Sequence, residues 1–112
     1  MMRRAIKNKK TEEILGCSFV EFRHYFESLF QEGMTWKKFL NGEIHIDHII
    51  PLKYFDLSDA IQIDCANHYL NLQPLYKKQN SLKGSRLPAL NIIHHIKNQY
   101  KIKTGKKFIW KQ

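Results

Sequence analysis

The hydrophobic positions change period along the chain. From Ser18 the period is helical: Phe22, Tyr25, Phe26, Leu29 and Phe30 recur three or four residues apart, with Glu21, Arg23, Glu27 and Gln31 on the other faces. Ser18 with Glu21 has the form of a capping box, and Gly33 is the expected stop. This aromatic stripe is read as core rather than as a platform for stacking bases. Thr35 is placed to cap a short helix from Trp36 to Leu40, ended by Asn41 and Gly42, with Trp36 and Phe39 beneath the strand that follows.

From Ile44 the period falls to two. Ile44, Ile46 and His48 alternate with His45, Asp47 and Ile49, a half-buried strand. Pro51 has no N–H to give a ladder, so regular pairing is expected to end near it. Residues 56–59 read as a loop entering a helix over 59–66, and 69–75 as a short extended segment stopped by Pro74. Lys77 to Lys83 is predicted to be a short helix ended by Gly84. Pro88 suits the first turn of a last helix with Leu90, Ile93, Ile96 and Tyr100 on one side. Residues 1–10 read as a mobile basic arm. The tail, 101–112, mixes lysines with Ile102, Phe108 and Trp110 around Thr104 and Gly105, as a hairpin or a second basic arm. The pattern is α+β, with no repeat and no linker, so 1–112 is read as a single domain.

Composition narrows the class. At 112 residues, 43% hydrophobic and 12% aromatic, the chain has enough apolar material for one core. No apolar run reaches the ~18 residues that span a bilayer, and no signal-peptide pattern opens the chain. A soluble protein of the cytoplasm or host-cell interior is therefore expected, without a membrane partner. Cys17 and Cys65 have no Cys-x-x-Cys neighbours, so reduced thiols are expected rather than a disulfide framework or a thiolate zinc site.

Charge changes the picture more. The net charge is +9, and every acid lies between Glu12 and Asp64. Ahead of Glu12 stand five basic residues, and after Asp64 ten, from Lys77 to Lys111, with no acid among them. A field segregated in this way predicts a polyanionic partner.

Candidate chemistry lies between Glu43 and Gly84. Phosphodiester hydrolysis needs a base for water, a cation for the phosphoryl and leaving oxygens, and groups that align them. His48 is the candidate base, since histidine titrates near the working pH. Asp47 offers a hard anionic oxygen and Asn80 a hard neutral one, a pair suited to one Mg²⁺ or Mn²⁺ completed by water and substrate phosphate. Asn71, on the returning strand, is placed to pin the loop carrying His48 and so orient its ring. Lys77, Asn80 and Lys83 share a helix face, and Lys77, Lys78, Lys83 and Arg86 are the candidate contacts to a DNA backbone. His45, two residues before Asp47 on the same strand side, is an auxiliary candidate for the metal or a phosphate, or a support for its neighbours. His68 is read as a hydrogen-bonding core residue, and His94 and His95 as surface residues. One geometric condition applies. On a regular strand Asp47 and His48 point to opposite faces, so both reach one phosphate only if the strand ends or bends there.

Three blocks carry a family resemblance: Ile46-Asp47-His48-Ile49-Ile50-Pro51, Tyr69-Leu70-Asn71-Leu72-Gln73-Pro74-Leu75 and Asn80-Ser81-Leu82-Lys83-Gly84. Together they resemble the HNH endonucleases, whose core is a β-hairpin and helix around one metal, the ββα-metal fold. The family's first histidine falls on His48, its asparagine on Asn71 and its last position on Asn80, where many members carry histidine. That departure favours Mg²⁺ over Zn²⁺ or Ni²⁺. The paired zinc-binding Cys-x-x-Cys motifs of many members are absent. Upstream, Ile14-Leu15-Gly16-Cys17-Ser18 and Gly33-Met34-Thr35-Trp36 are similar to the amino-terminal half of small homing-type HNH proteins of bacteriophages and large viruses. The resemblance covers 11–84, about two-thirds of the chain.

It implies a ββα-metal core over 43–84, preceded by a helical part over 11–42 and followed by a basic helix and tail over 85–112. It also implies a metal-dependent DNA endonuclease that leaves 5′-phosphate and 3′-hydroxyl ends, one strand per active site. A double-strand cut would then need a homodimer or two visits. Each residue alone also has an ordinary structural reading: an Asp-His pair by chance, turn chemistry at Asn71, a solvated Asn80. Two rivals therefore stay open at this point, a DNA-binding protein that keeps the HNH scaffold without catalysis, and a binder of structured RNA.

Overall fold

The structure, a computed structural model, describes residues 9–107. Local sequence signals set most of its elements. Helix α1 (Lys9–Leu15) is followed by α2 (Phe19–Ser28). Ser18 caps α2 with a complete capping box: its Oγ accepts from Glu21 N–H, and Glu21 Oε1 accepts from Ser18 N–H, both at 3.0 Å. Thr35 caps α3 (Trp36–Leu40), accepting from Lys38 N–H at 3.1 Å. Strand β1 (Ile44–His48) then leads through a 3₁₀ turn (Leu52–Tyr54) to α4 (Ala60–Asn67), capped by Asp59 at Ile61 N–H. A second 3₁₀ turn (Tyr69–Asn71) enters β2 (Leu72–Tyr76), which passes directly into α5 (Lys77–Lys83), and α6 (Leu90–Thr104) closes the described chain. The architecture is α+β: one antiparallel two-stranded sheet among helices. Its register pairs Ile44 with Tyr76 and His48 with Leu72.

Two hydrophobic clusters hold these elements. The first joins Leu15, Phe22, Phe26, Met34, Phe39, Ile44, Tyr69 and Leu72, so it packs α1–α3 against the sheet. Phe26 is its hub, with the rings of Phe22, Phe30, Trp36 and Phe39 centred 5.1–6.0 Å away. The second joins Ile50, Phe55, Cys65, Ala66, Ile93, Ile96 and Tyr100, seating α6 on α4 and on the segment after β1; Leu70 packs against both clusters. No helix of the described residues is long and apolar enough to cross a membrane.

Several expectations need correction. Lys9 and Lys10 are helical rather than part of a free arm, and 1–8 lie outside the described residues. Helix α2 ends at Ser28, well before Gly33, because Leu29 and Phe30 donate to the carbonyls three residues back and tighten the turn. That tightening brings Phe30 to Trp36, with ring centroids 5.0 Å apart. Pro74 does not stop the extended segment but sits inside β2. Its carbonyl points off the sheet to Gln31 Nε2 at 3.3 Å, so its missing N–H also faces the free edge, where a two-stranded sheet tolerates proline. Residues 69–71 form a 3₁₀ turn rather than strand. Pro88 precedes the helix it was expected to begin, and Leu90 is exposed while Ile93, Ile96 and Tyr100 are buried. Helix α6 runs on to Thr104 and ends with Gly105 left-handed (φ 74°), so 101–104 are helical; 108–112 lie outside the described residues.

The thiols match a reduced reading. Burial pushes Cys17 up to about 11 and Cys65 up to about 12, although Cys17 is only partly buried.

Gly16 and His68 make one close junction. Gly16 is left-handed (φ 79°), and a Cβ there would lie 2.4 Å from His68 Nε2. His68 is buried, and its Nδ1 accepts from Leu70 N–H at 3.3 Å, fixing the second 3₁₀ turn. Burial holds its imidazole below the ordinary 6.5; Asp64 opposes this in part, and Lys103 and Lys106 add to it. The folded state thus prefers the neutral ring, while the unfolded chain takes up a proton below about pH 6.5. This contribution is full above that pH and is lost as pH falls. His68→Asn keeps an acceptor for Leu70 N–H but cannot titrate. Between about pH 7 and about pH 5 its thermal midpoint should fall less steeply than that of the wild type. Equal slopes in circular-dichroism melts would contradict this.

Candidate active site

The site begins where β1 ends. Asn71 is fully buried at the start of β2, and its backbone carbonyl accepts from Ile49 N–H at 2.8 Å. Its side-chain Oδ1 accepts from Ile50 N–H at 2.9 Å, while Nδ2 donates to Ile50 O at 3.1 Å and to Ala66 O at 2.9 Å. One amide therefore saturates both backbone groups of Ile50 and ties the loop to the end of α4. The strand stops at His48, and the chain turns away toward Pro51.

Asp47, His48, Asn80 and Lys83 all line one open cleft of about 380 Å³, together with Pro51 and Lys53. The strand ends at His48, the first part of what the condition set by strand geometry asks.

Asp47 is 7% exposed and well partnered. Its cross-strand partner Gln73 donates Nε2 to Oδ2 at 2.9 Å. Lys83 Nζ lies 3.3 Å from Oδ2 and 3.4 Å from Oδ1, and donates to His48 O at 3.1 Å. Removed from most of the surrounding water, the carboxylate is paired with an ammonium group.

The His48 ring is held from α4. Its Nε2 is 3.2 Å from Asn67 Oδ1, and Asn67 Nδ2 donates to Ile63 O at 3.3 Å. Because the Ile63 carbonyl can only accept, it takes the amide's N–H and turns the amide oxygen toward the ring. That oxygen in turn needs an N–H at Nε2, which leaves Nδ1 as the lone-pair nitrogen of a neutral ring. Asn80 meets His45 instead of Asp47: its Nδ2 lies 3.0 Å from His45 Nδ1, so the amide oxygen is not engaged by His45.

The basic residues divide. Lys77 and Lys78 are exposed on α5. Lys83 is turned inward onto Asp47, and Arg86 bonds Lys83 O and Leu82 O at 3.3 Å each, capping the C-terminus of α5. His94 and His95 are exposed on α6.

Three residues had escaped the sequence reading. Asn67 orients the ring, Gln73 holds the carboxylate, and Lys53 lines the cleft. Gln73 was within reach of reasoning, as the partner that an antiparallel register gives Asp47. Asn67 carried no signal, because its contact spans 19 residues between a strand end and a helix end. Among the described residues, no three His, Cys, Asp or Glu converge on a point where a metal could be held. Any metal here would rest on the Asp47 carboxylate and the Asn80 amide oxygen.

No family model matches the chain, and no solved structure matches it. It is similar to two proteins of Acanthamoeba polyphaga mimivirus. Uncharacterized protein L426 is 34% identical over 96 residues, 86% of this chain and 42% of the relative. Uncharacterized protein L246 is 38% identical over 74 residues, 65% of this chain and 32% of the relative. The chain thus spans about two-fifths and one-third of the lengths of these viral relatives.

The Asn71 clamp can be tested directly. Asn71→Ala would leave Ile50 N–H, Ile50 O and Ala66 O without their partner, at roughly 1–3 kcal/mol for each unsatisfied buried group, less any water that enters. A loss of at least about 2 kcal/mol in urea unfolding is expected. A loss under about 0.5 kcal/mol would mean that the amide does not hold the loop.

Proposed function

We propose that this chain is a DNA endonuclease of the HNH type, with β1, β2 and α5 as a ββα-metal core. The observation that carries the reading is that Asp47, His48 and Asn80, drawn from a strand end and a separate helix, line one cleft with Lys83. The pairing of β1 with β2 and the direct passage of β2 into α5 add support.

In this reading His48 Nδ1, the nitrogen left free by Asn67, accepts a proton from water as its oxygen attacks phosphorus. The P–O3′ bond breaks, and the 3′-oxygen leaves and is protonated from solvent, giving 5′-phosphate and 3′-hydroxyl ends. Asn67 holds the imidazole by its Nε2–H, and Asn71 acts one step further out by fixing the backbone beyond His48. Asp47 and the Asn80 oxygen are hard donors of the kind Mg²⁺ or Mn²⁺ takes, and Lys83 against Asp47 means the carboxylate already sits opposite a cation. The bound ion supplies charge to offset that developing on the phosphoryl and leaving oxygens. Two protein donors make a weak site, completed by water and substrate phosphate. Lys53, Lys77 and Lys78 are available to the DNA backbone, and Lys83 joins them once released from Asp47. His45 supports Asn80 rather than the substrate. One such site cuts one strand at a time. The mimivirus relatives fit the viral setting of the HNH proteins that the sequence resembles.

The same ion pair is what favours the second reading, a DNA-binding scaffold without catalysis, in which Lys83 permanently replaces the metal. Nicking of supercoiled plasmid separates the two. The wild type should nick with Mg²⁺ and stop in chelator. His48→Ala should lose about 10²–10⁴-fold in rate while still binding duplex. No nicking by the wild type with any divalent metal would leave the scaffold reading, and full activity of His48→Ala would remove the base. Asn67→Ala should lose about 10- to 100-fold in rate, because it frees the ring without removing it. A wild-type rate in that variant would show that the ring needs no such hold.

A further inference from the structure

We propose that a groove on the outer side of α6 is a second phosphate-binding site, engaging a nucleic-acid backbone apart from the cleft. The inference rests on the reading of DNA as the substrate but not on cleavage.

The groove, about 210 Å³, is lined by His94, Lys97, Asn98, Lys101 and Lys107, with Tyr100 at its base. It shares no residue with the cleft. Residues 94, 97, 98 and 101 stand at helical i, i+3, i+4 and i+7, so they form one stripe. The other side of α6, Ile93, Ile96 and Tyr100, is committed to the core, which fixes the stripe's outward direction. Lys107 joins the stripe because the left-handed turn at Gly105 ends the helix and brings the chain back.

Three lysines thus line one concavity, and no Asp or Glu stands among its described lining residues. Asp64, the last acid of the chain, is engaged by Lys106 at 3.5 Å and by the Tyr100 hydroxyl, so that lysine is matched by an acid. A tetrahedral phosphate has the right size and charge, and Asn98 adds a neutral donor. On a repeating polyanion, a second contact outside the cleft supplies affinity and orientation without sequence selection.

The test is duplex binding in chelator, followed by fluorescence anisotropy across a salt series, so that cleavage plays no part. Lys97→Gln/Lys101→Gln is compared with Lys37→Gln/Lys38→Gln, which removes the same charge from α3. The groove variant should flatten the plot of log affinity against log salt by about 0.9 per lost contact, and the α3 variant should leave the slope unchanged. Equal slopes in the two variants, or a groove variant that matches the wild type, would overturn the proposal. As a second readout, duplex should protect the Lys97, Lys101 and Lys107 amines from acetylation, and inorganic phosphate at the same phosphate concentration should not. Equal protection by inorganic phosphate would make this a free-anion site and overturn the backbone assignment. Wild-type protein that binds through the groove but never nicks plasmid would sink the nuclease reading alone. Protein that nicks but binds independently of the groove would sink this inference alone.

Discussion

The buried amide of Asn71 is the constraint on which the candidate site depends. A two-stranded sheet has little cohesion of its own, and nothing intrinsic to the sequence 44–48 dictates where pairing must stop. Asn71 contributes to that end: its own N–H bonds His68 O instead of crossing to Ile49, and its side chain binds both backbone groups of Ile50 and the carbonyl of Ala66 at the end of α4. The strand ends at His48, and Asp47 and His48 both line one cleft. Because the same amide also reaches α4, the helix bearing Asn67 is held in register with the His48 ring.

Electrostatics gives the cleft its character. Asp47 is largely withdrawn from water and is met by Lys83 and by a hydrogen bond from Gln73. That carboxylate shares the cleft with His48 and Asn80. Lys83 is the counter-charge, bonded to the Asp47 carboxylate and to the His48 carbonyl. The segregated positive charge of the chain has a similar division. Arg86 is spent on a helix end and Lys106 on Asp64, whereas the α6 stripe gathers its lysines around a concavity with no Asp or Glu among its described lining residues.

Much of this was legible in the sequence where the signal is local. Ser18, Thr35 and Asp59 announce helices because a side-chain oxygen at an N-cap is spent on the next turn. Gly84 announces an end because its left-handed φ of 55° suits glycine best. Asp47, His48, Asn71 and Asn80 could be named as a set, since residue type and order carry the chemistry. What could not be read depends on packing at a distance. Helix α2 stops early in a tightened turn that sets Phe30 against Trp36, and Pro74 is accepted inside a strand because its unpaired side faces a free edge. Asn67 and the inward turn of Lys83 follow from a meeting of elements far apart in the chain, for which neither propensity nor spacing provides a clue.

The most direct measurement of the account is where a divalent ion settles. With the isotopically labelled protein held on a duplex whose linkages resist hydrolysis, Mn²⁺ should broaden the resonances of Asp47, His48 and Asn80 before any others. Broadening that starts at the acids of 56–64, or that spreads over the surface without focus, would mean that the oxygen donors of this cleft do not form a metal site.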